Sequence, residues 1–147
     1  ELGKWPVIGS ATHLARMILV DRGKTSSLIS TMKSIKKEID SGGSVILFPE
    51  GGIKSSELTT DFKHGSFKIA IDTDTPIVPA AIFYADKGCY WGDESFIRHF
   101  YKQMGKWRTK ASFWIGAPIK SDSLNIAIST TKETIDNKLS EFISQNK

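Results

Sequence analysis

The feature that most constrains this chain is the alternation of short, strand-like apolar runs with a helical stripe between them. Val45-Ile46-Leu47-Phe48 is a run of four apolar residues, three of them β-branched or aromatic, which predicts a short buried strand. Pro49 ends it, because proline has no N–H to give to a ladder. Met17-Ile18-Leu19-Val20 is a similar run, closed by Asp21-Arg22-Gly23-Lys24. Between the two, Leu28, Met32, Ile35 and Ile39 fall at spacings of four, three and four, which is one face of an amphipathic helix. Thr25, Ser26 and Ser27 offer caps at its start, and Gly42-Gly43 supplies its stop. Strand, helix and strand with short links predict a βαβ unit with a parallel, right-handed crossover.

The pattern repeats downstream. A helix is expected through Phe67, Ala70 and Ile71, turned by Thr73-Asp74-Thr75. Pro76 to Phe83 then reads as a third strand, whose internal Pro79 argues for an edge position or a broken ladder. The expected class is α/β, a mainly parallel (mixed) central sheet flanked by helices. Before this frame, residues 1–16 read as a turn into a short helix, with Pro6 tolerated in a first turn. After it, residues 84–92 form a loop with Cys89, Tyr90 and Trp91. Asp93 is the expected cap of a helix carrying Phe96, Ile97, Phe100, Tyr101 and Met104, which Gly105 ends. That stripe is assigned to the core, with lipid contact as the alternative. Lys110 to Pro118 reads as the last strand. Thr130-x-x-Glu133 has the form of a capping box, opening a helix with Ile135, Leu139, Phe142 and Ile143.

At 147 residues one domain, 1–147, is expected, with a core large enough to need no staples. A single cysteine, Cys89, excludes an internal disulfide framework. The longest apolar run, Ile77 to Ala85, has nine residues, well short of the roughly 20 that span a bilayer. No basic and apolar leader opens the chain. The first residue is Glu1, within sequence that reads as structured, so a fragment is expected. The net charge of +4 suits anionic ligands, an acidic membrane surface or nucleic acid. With no nucleic-acid motif, the last of these is not expected as a partner.

Chemistry concentrates at the end of the Val45–Phe48 run. Glu50 stands where open α/β sheets present ligand-binding groups. Gly51-Gly52 leaves backbone amides open to an anion, and Lys54 and Ser55 add a cation and a hydroxyl. Arg22 and Lys24 are cations at the end of the other run. Local chemistry leaves a polar-ligand site and an ordinary glycine turn equally open.

Phe48-Pro49-Glu50-Gly51 after a strand resembles the third motif of the 1-acylglycerol-3-phosphate O-acyltransferase (lysophosphatidate acyltransferase) family. Met17 to Arg22 is similar to the second motif, an apolar run ending in a basic residue. Phe62-Lys63-His64-Gly65-Ser66-Phe67 resembles the stretch after the third motif, and Ile77-Val78-Pro79-Ala80-Ala81-Ile82 the fourth. Glu1-Leu2-Gly3-Lys4, with Pro6 and Gly9, is similar to the segment before the second. The resemblance covers about residues 1–120. It implies a glycerolipid acyltransferase-like fold whose N-terminal part is missing here. The implied reaction is acyl transfer from a thioester, on coenzyme A or acyl carrier protein, to the free hydroxyl of a lysophospholipid. No other cofactor and no metal is implied. In the family a histidine, with an aspartate five positions on, activates that hydroxyl. Five positions after His13, His64 and His99 stand Ile18, Ile69 and Met104. No catalytic residue is therefore expected in this chain, and the general base is expected upstream of Glu1. His64 reads as a helix-start or surface residue. By resemblance Arg22 holds the acceptor phosphate, Glu50 binds the glycerol part or shapes the site, and Gly51 allows close backbone approach. The family continues with threonine and arginine where this chain has Gly52 and Ile53. Lys54 is the substitute cation, and Lys63 a further candidate. The implied setting is a membrane surface on its cytoplasmic face. A catalytically silent lipid- or phosphate-binding module is the alternative.

Overall fold

The computed structural model describes residues 10, 14, 17–18, 25–52, 56–90 and 94–146. The chain divides into two compact units, residues 1–47 and 48–147. In the first, α1 spans Thr25–Asp40. Of the expected stripe, Ile35 is buried and Met32 and Ile39 are half-buried, with Thr31 buried beside them. The helix ends as its glycines predict. Gly42 N–H donates to the Ile39 carbonyl and Gly43 N–H to that of Glu38, both at 2.9 Å, which is the Schellman arrangement.

The second unit holds the core. Its elements are α2 (His64–Asp72), β1 (Ala80–Tyr84), a 3-10 turn (Lys87–Cys89), α3 (Phe96–Met104), β2 (Ala111–Ile115) and α4 (Leu124–Gln145). β1 and β2 pair antiparallel, Ala80 facing Ile115 and Tyr84 facing Ala111. Ala81 and Phe83 point to the buried side of this pair and join Phe62, Phe67, Ala127, Ile135 and Leu139, with Trp114 packed against them. Phe62 stacks on Phe67 at 5.9 Å, and Phe83 on Phe142 at 6.0 Å. The other face of the pair, with Ile82, Phe113 and Ile115, is exposed.

Several sequence expectations need correction. Among the described residues the only ladder is antiparallel, so the expected parallel sheet is not seen there. Val45–Phe48 joins no strand, and Ile46 and Phe48 are 91% and 74% exposed. The run has the composition of a strand, but a strand exists only through a partner. The expected partner, Met17–Val20, is described only at Met17 and Ile18, neither in a strand. The helix within residues 1–16 lies largely outside the described residues.

The third strand starts later than Pro76. Ile77 makes a lone antiparallel bridge to Ile119, and the ladder resumes only at Ala80. Two residues, 78 and 79, thus face three, 116–118, a bulge that breaks the ladder at Pro79 as expected. Thr130 and Glu133 are not a capping box, since α4 begins at Leu124, six residues before Thr130, after Ser123. Its buried line runs Ala127, Thr131, Ile135 and Leu139. Alanine and threonine gave that line no apolar signature upstream of Ile135.

Asp93 lies outside the described residues. The cap of α3 is Ser95, which accepts from Arg98 N–H at 3.4 Å. The stripe on α3 is not core either, with Ile97, Tyr101 and Met104 at 57%, 72% and 68% exposed. The reason is visible in what holds the helix. Gln103 Nε2 donates to the Gly88 carbonyl at 2.5 Å, and Lys106, just past the helix, pairs with Asp86 at 2.6 Å.

Candidate functional site

Phe48-Pro49-Glu50-Gly51 forms a β-turn. Gly51 N–H donates to the Phe48 carbonyl at 3.2 Å, with proline at the second position, where its fixed φ suits the turn. Gly51 has φ +66, a left-handed conformation that favours glycine. A Cβ there would also stand 3.3 Å from Lys63 Cγ. The turn presents Glu50 inward. Its Oε2 accepts from both the N–H and the hydroxyl of Thr60, each at 2.9 Å. Lys63 N–H donates to the Pro49 carbonyl at 2.8 Å. These bonds fasten segment 60–63 against the turn.

Segment 59–63 is held from the other side by α4. Asp136 Oδ1 accepts from Thr59 N–H at 2.9 Å and from its hydroxyl at 2.6 Å. Lys132 Nζ donates to the Thr59 carbonyl at 2.8 Å, to Thr59 Oγ1 at 2.9 Å and to Asp136 Oδ2 at 2.9 Å. Burial acts most strongly on the Asp136 carboxyl and pushes its pKa up, yet the bonds from Thr59 and Lys132 together outweigh it. The pKa is held below the ordinary aspartate value. Lys132 thus has its three protons committed, and its charge also lies 5.9 Å from the centre of the Phe62 ring.

Between these supports is an open depression of about 510 Å³, lined by Asp61, Phe62, Lys63, His64, Ile128 and Lys132. Lys63 and His64 are exposed, and Lys63 is the N-cap of α2 without a side-chain cap bond. Lys63 and His64, at the start of α2, thus bring a cation and a helix N-terminus to the lining of the depression. That combination suits an anion. His64 opens the helix on the surface, as its position predicted.

Of the five residues expected at the site, Glu50, Gly51 and Lys63 are brought together by the turn. Arg22 and Lys54 lie outside the described residues. Glu50 and Gly51 do not line the depression; they set the backbone beside it. Thr59, Thr60, Lys132 and Asp136 were missed. The one available signal was the four-residue spacing of Lys132 and Asp136 on a helix, since nothing local ties Glu50 to Thr60. Among the described residues no cluster of His, Cys, Asp or Glu could hold a metal ion. No described helix is long and apolar enough to cross a membrane.

The chain belongs to the acyltransferase family, whose model, described as "Acyltransferase", matches residues 1–83. That interval includes the Phe48–Gly51 turn and Lys63. Among individual relatives, the chain is similar to the chloroplastic 1-acyl-sn-glycerol-3-phosphate acyltransferase BAT2 of Brassica napus. The two are 31% identical over 64% of this chain and 27% of the relative. It is 33% identical to the Helicobacter pylori 1-acyl-sn-glycerol-3-phosphate acyltransferase over 59% of this chain and 37% of the relative. With the human 1-acyl-sn-glycerol-3-phosphate acyltransferase alpha it shares 34% identity over 55% and 29%. The chain thus spans only 27% to 37% of the length of these relatives. No solved structure matches it.

Proposed function

We propose that this chain is the acceptor-binding part of a glycerophospholipid acyltransferase. The enzyme moves an acyl group from acyl-CoA or acyl carrier protein to the free hydroxyl of a lysophospholipid, 1-acylglycerol-3-phosphate first among them. The supporting observation is the Phe48–Gly51 turn of a family member, with Glu50 clamped to Thr60 and Lys63 laid along Gly51. Lys63 and the amides at the start of α2 meet the acceptor's phosphate; Arg22 and Lys54 are further candidates for it by the family resemblance alone. Glu50 acts by holding the loop that carries Lys63. No histidine of the chain has an aspartate five positions on, so the base that takes the hydroxyl's proton comes from residues outside this sequence. Such an enzyme works at a membrane surface, on its cytoplasmic face, where its lipid substrate resides.

The finer fold follows the same reading. The central, mainly parallel (mixed) sheet expected from the strand–helix alternation is part of that reading, with β1–β2 as its antiparallel portion. The test is acylation of 1-acylglycerol-3-phosphate by the full-length protein. Lys63→Ala is expected to raise the acceptor KM about tenfold, the loss of one charge-assisted hydrogen bond, with the donor KM unchanged. Absence of product from every member of a lysophospholipid panel would reject the reading. It would favour a silent lipid- or phosphate-binding module, which the missing histidine–aspartate spacing motivates.

A further inference from the structure

Helix α3 wears its polarity inside out. Gln103, on one side, bonds to the Gly88 carbonyl, and His99 pairs with Glu94 at 2.7 Å with its side chain only 13% exposed. On the opposite side Ile97, Tyr101 and Met104 follow at spacings of four and three, and all face solvent. Just beyond the helix, Trp107 is 98% exposed. A soluble helix normally buries its apolar stripe and wets its polar one. Here polar bonds hold the helix to its own unit, and the apolar side is left for something else.

Charge says what that something is. Residues 94–110 carry Arg98, Lys102, Lys106, Arg108 and Lys110 against the single acid Glu94. Lys106 is committed to Asp86, while Lys102 lies 3.9 Å from Glu94 with 54% of its side chain exposed. Arg98 and Lys102 sit four apart on the flank of the apolar stripe, and Arg108 and Lys110 are exposed next to Trp107. Protein interfaces are depleted in lysine at their centres. An apolar stripe with Tyr and Trp, flanked by Lys and Arg, is instead the composition of a helix lying in a lipid headgroup layer.

We propose that α3 and the segment to Lys110 form a membrane-docking surface. Ile97, Tyr101, Met104 and Trp107 enter the headgroup boundary of an anionic bilayer, and Arg98, Lys102, Arg108 and Lys110 meet lipid phosphates. This deepens the function proposed above by naming the part of the chain that meets the bilayer, and it rests on that reading for a lipid occupant.

The test is co-sedimentation of the full-length protein, the region that supplies the general base included, with phosphatidylcholine vesicles, with and without phosphatidylglycerol. The wild type is expected to prefer the anionic vesicles and to be released by salt. Tyr101→Asp/Met104→Asp should weaken binding about tenfold or more through lost apolar insertion. Arg98→Glu/Lys102→Glu should abolish the preference for anionic lipid, each cation near the surface being worth about fivefold. Both pairs are exposed, so melting temperatures should hold. Turnover of a short-chain lysophosphatidate kept below micelle concentration should also hold. Should the aspartate variant fail to fold, quenching of Trp107 by brominated lipid, lost in Trp107→Phe, carries the test. Wild-type vesicle binding in both variants, or no quenching at Trp107, would overturn the proposal. So would a wild-type dimer that the aspartate pair dissociates, since a second copy would then be the occupant. Vesicle binding without any turnover would sink the acyltransfer reading and leave the docking surface standing.

Discussion

Removing the Glu50 carboxylate separates a residue that shapes the site from one that only waits for ligand. Glu50 Oε2 accepts two hydrogen bonds from Thr60, both at 2.9 Å, and Thr60 is half-buried. In Glu50→Ala the Thr60 N–H loses its partner in a site that water reaches only partly. Bonds to a charged acceptor are worth about 1.5–3 kcal/mol each, and an orphaned donor costs about 1–3 kcal/mol. Partial hydration and the shared acceptor oxygen bring the expected net loss to about 2 kcal/mol. For a chain of this size that is a fall in melting temperature of about 4–8 °C. Thermal unfolding of the ligand-free protein, with Thr60→Val and the double variant completing a cycle, should give a coupling of about 1 kcal/mol. A carboxylate that serves only the substrate is expected to leave ligand-free stability unchanged or raised by its removal. Unchanged or increased melting temperature in Glu50→Ala would therefore refute the clamp.

Three further outcomes are expected. Gly51→Ala forces a side chain into φ +66 and against Lys63, and should cost about 1–2 kcal/mol in a urea titration. Asp136 has a pKa lowered by folding, so the stability it contributes is present above the unfolded value of about 3.9 and is lost as pH falls through the lower folded value. The gap in urea midpoint between wild type and Asp136→Asn should thus be widest near neutrality and close in acid; a gap independent of pH would contradict the Thr59–Lys132–Asp136 network. The Thr131 hydroxyl is buried without a hydrogen-bond partner, so Thr131→Val should leave stability equal or raise it by up to about 1 kcal/mol.

What could be read from the sequence was what is decided within a turn or two of chain. The stripe and glycine stop of α1, the helix through Phe67, the break at Pro79 and the final strand all rest on near neighbours. The start of α4 was misplaced because Thr130-x-x-Glu133 imitates a helix start, while the true upstream face is built from Ala127 and Thr131. Val45–Phe48 has the composition of a strand, yet composition states a need for a partner and does not supply one. On α3 the two-sided character was legible, but which side would face the protein was set by Gln103, Gly88, Lys106 and Asp86. The same limit applied to the site. Pro49-Glu50-Gly51 announced a turn, whereas the partner of Glu50, ten residues on, was fixed by how segment 59–63 hangs between that turn and Lys132–Asp136 of α4.

The acceptor site itself is best tested by titrating isotope-labelled protein with glycerol 3-phosphate, the headgroup shared by the proposed acceptors. Saturable amide shifts are expected at Gly51, Lys63 and His64, and in Lys63→Ala they should need about tenfold more ligand to saturate. Saturable binding that leaves those three amides unmoved, or no binding at all, would contradict a headgroup site beside the Phe48–Gly51 turn.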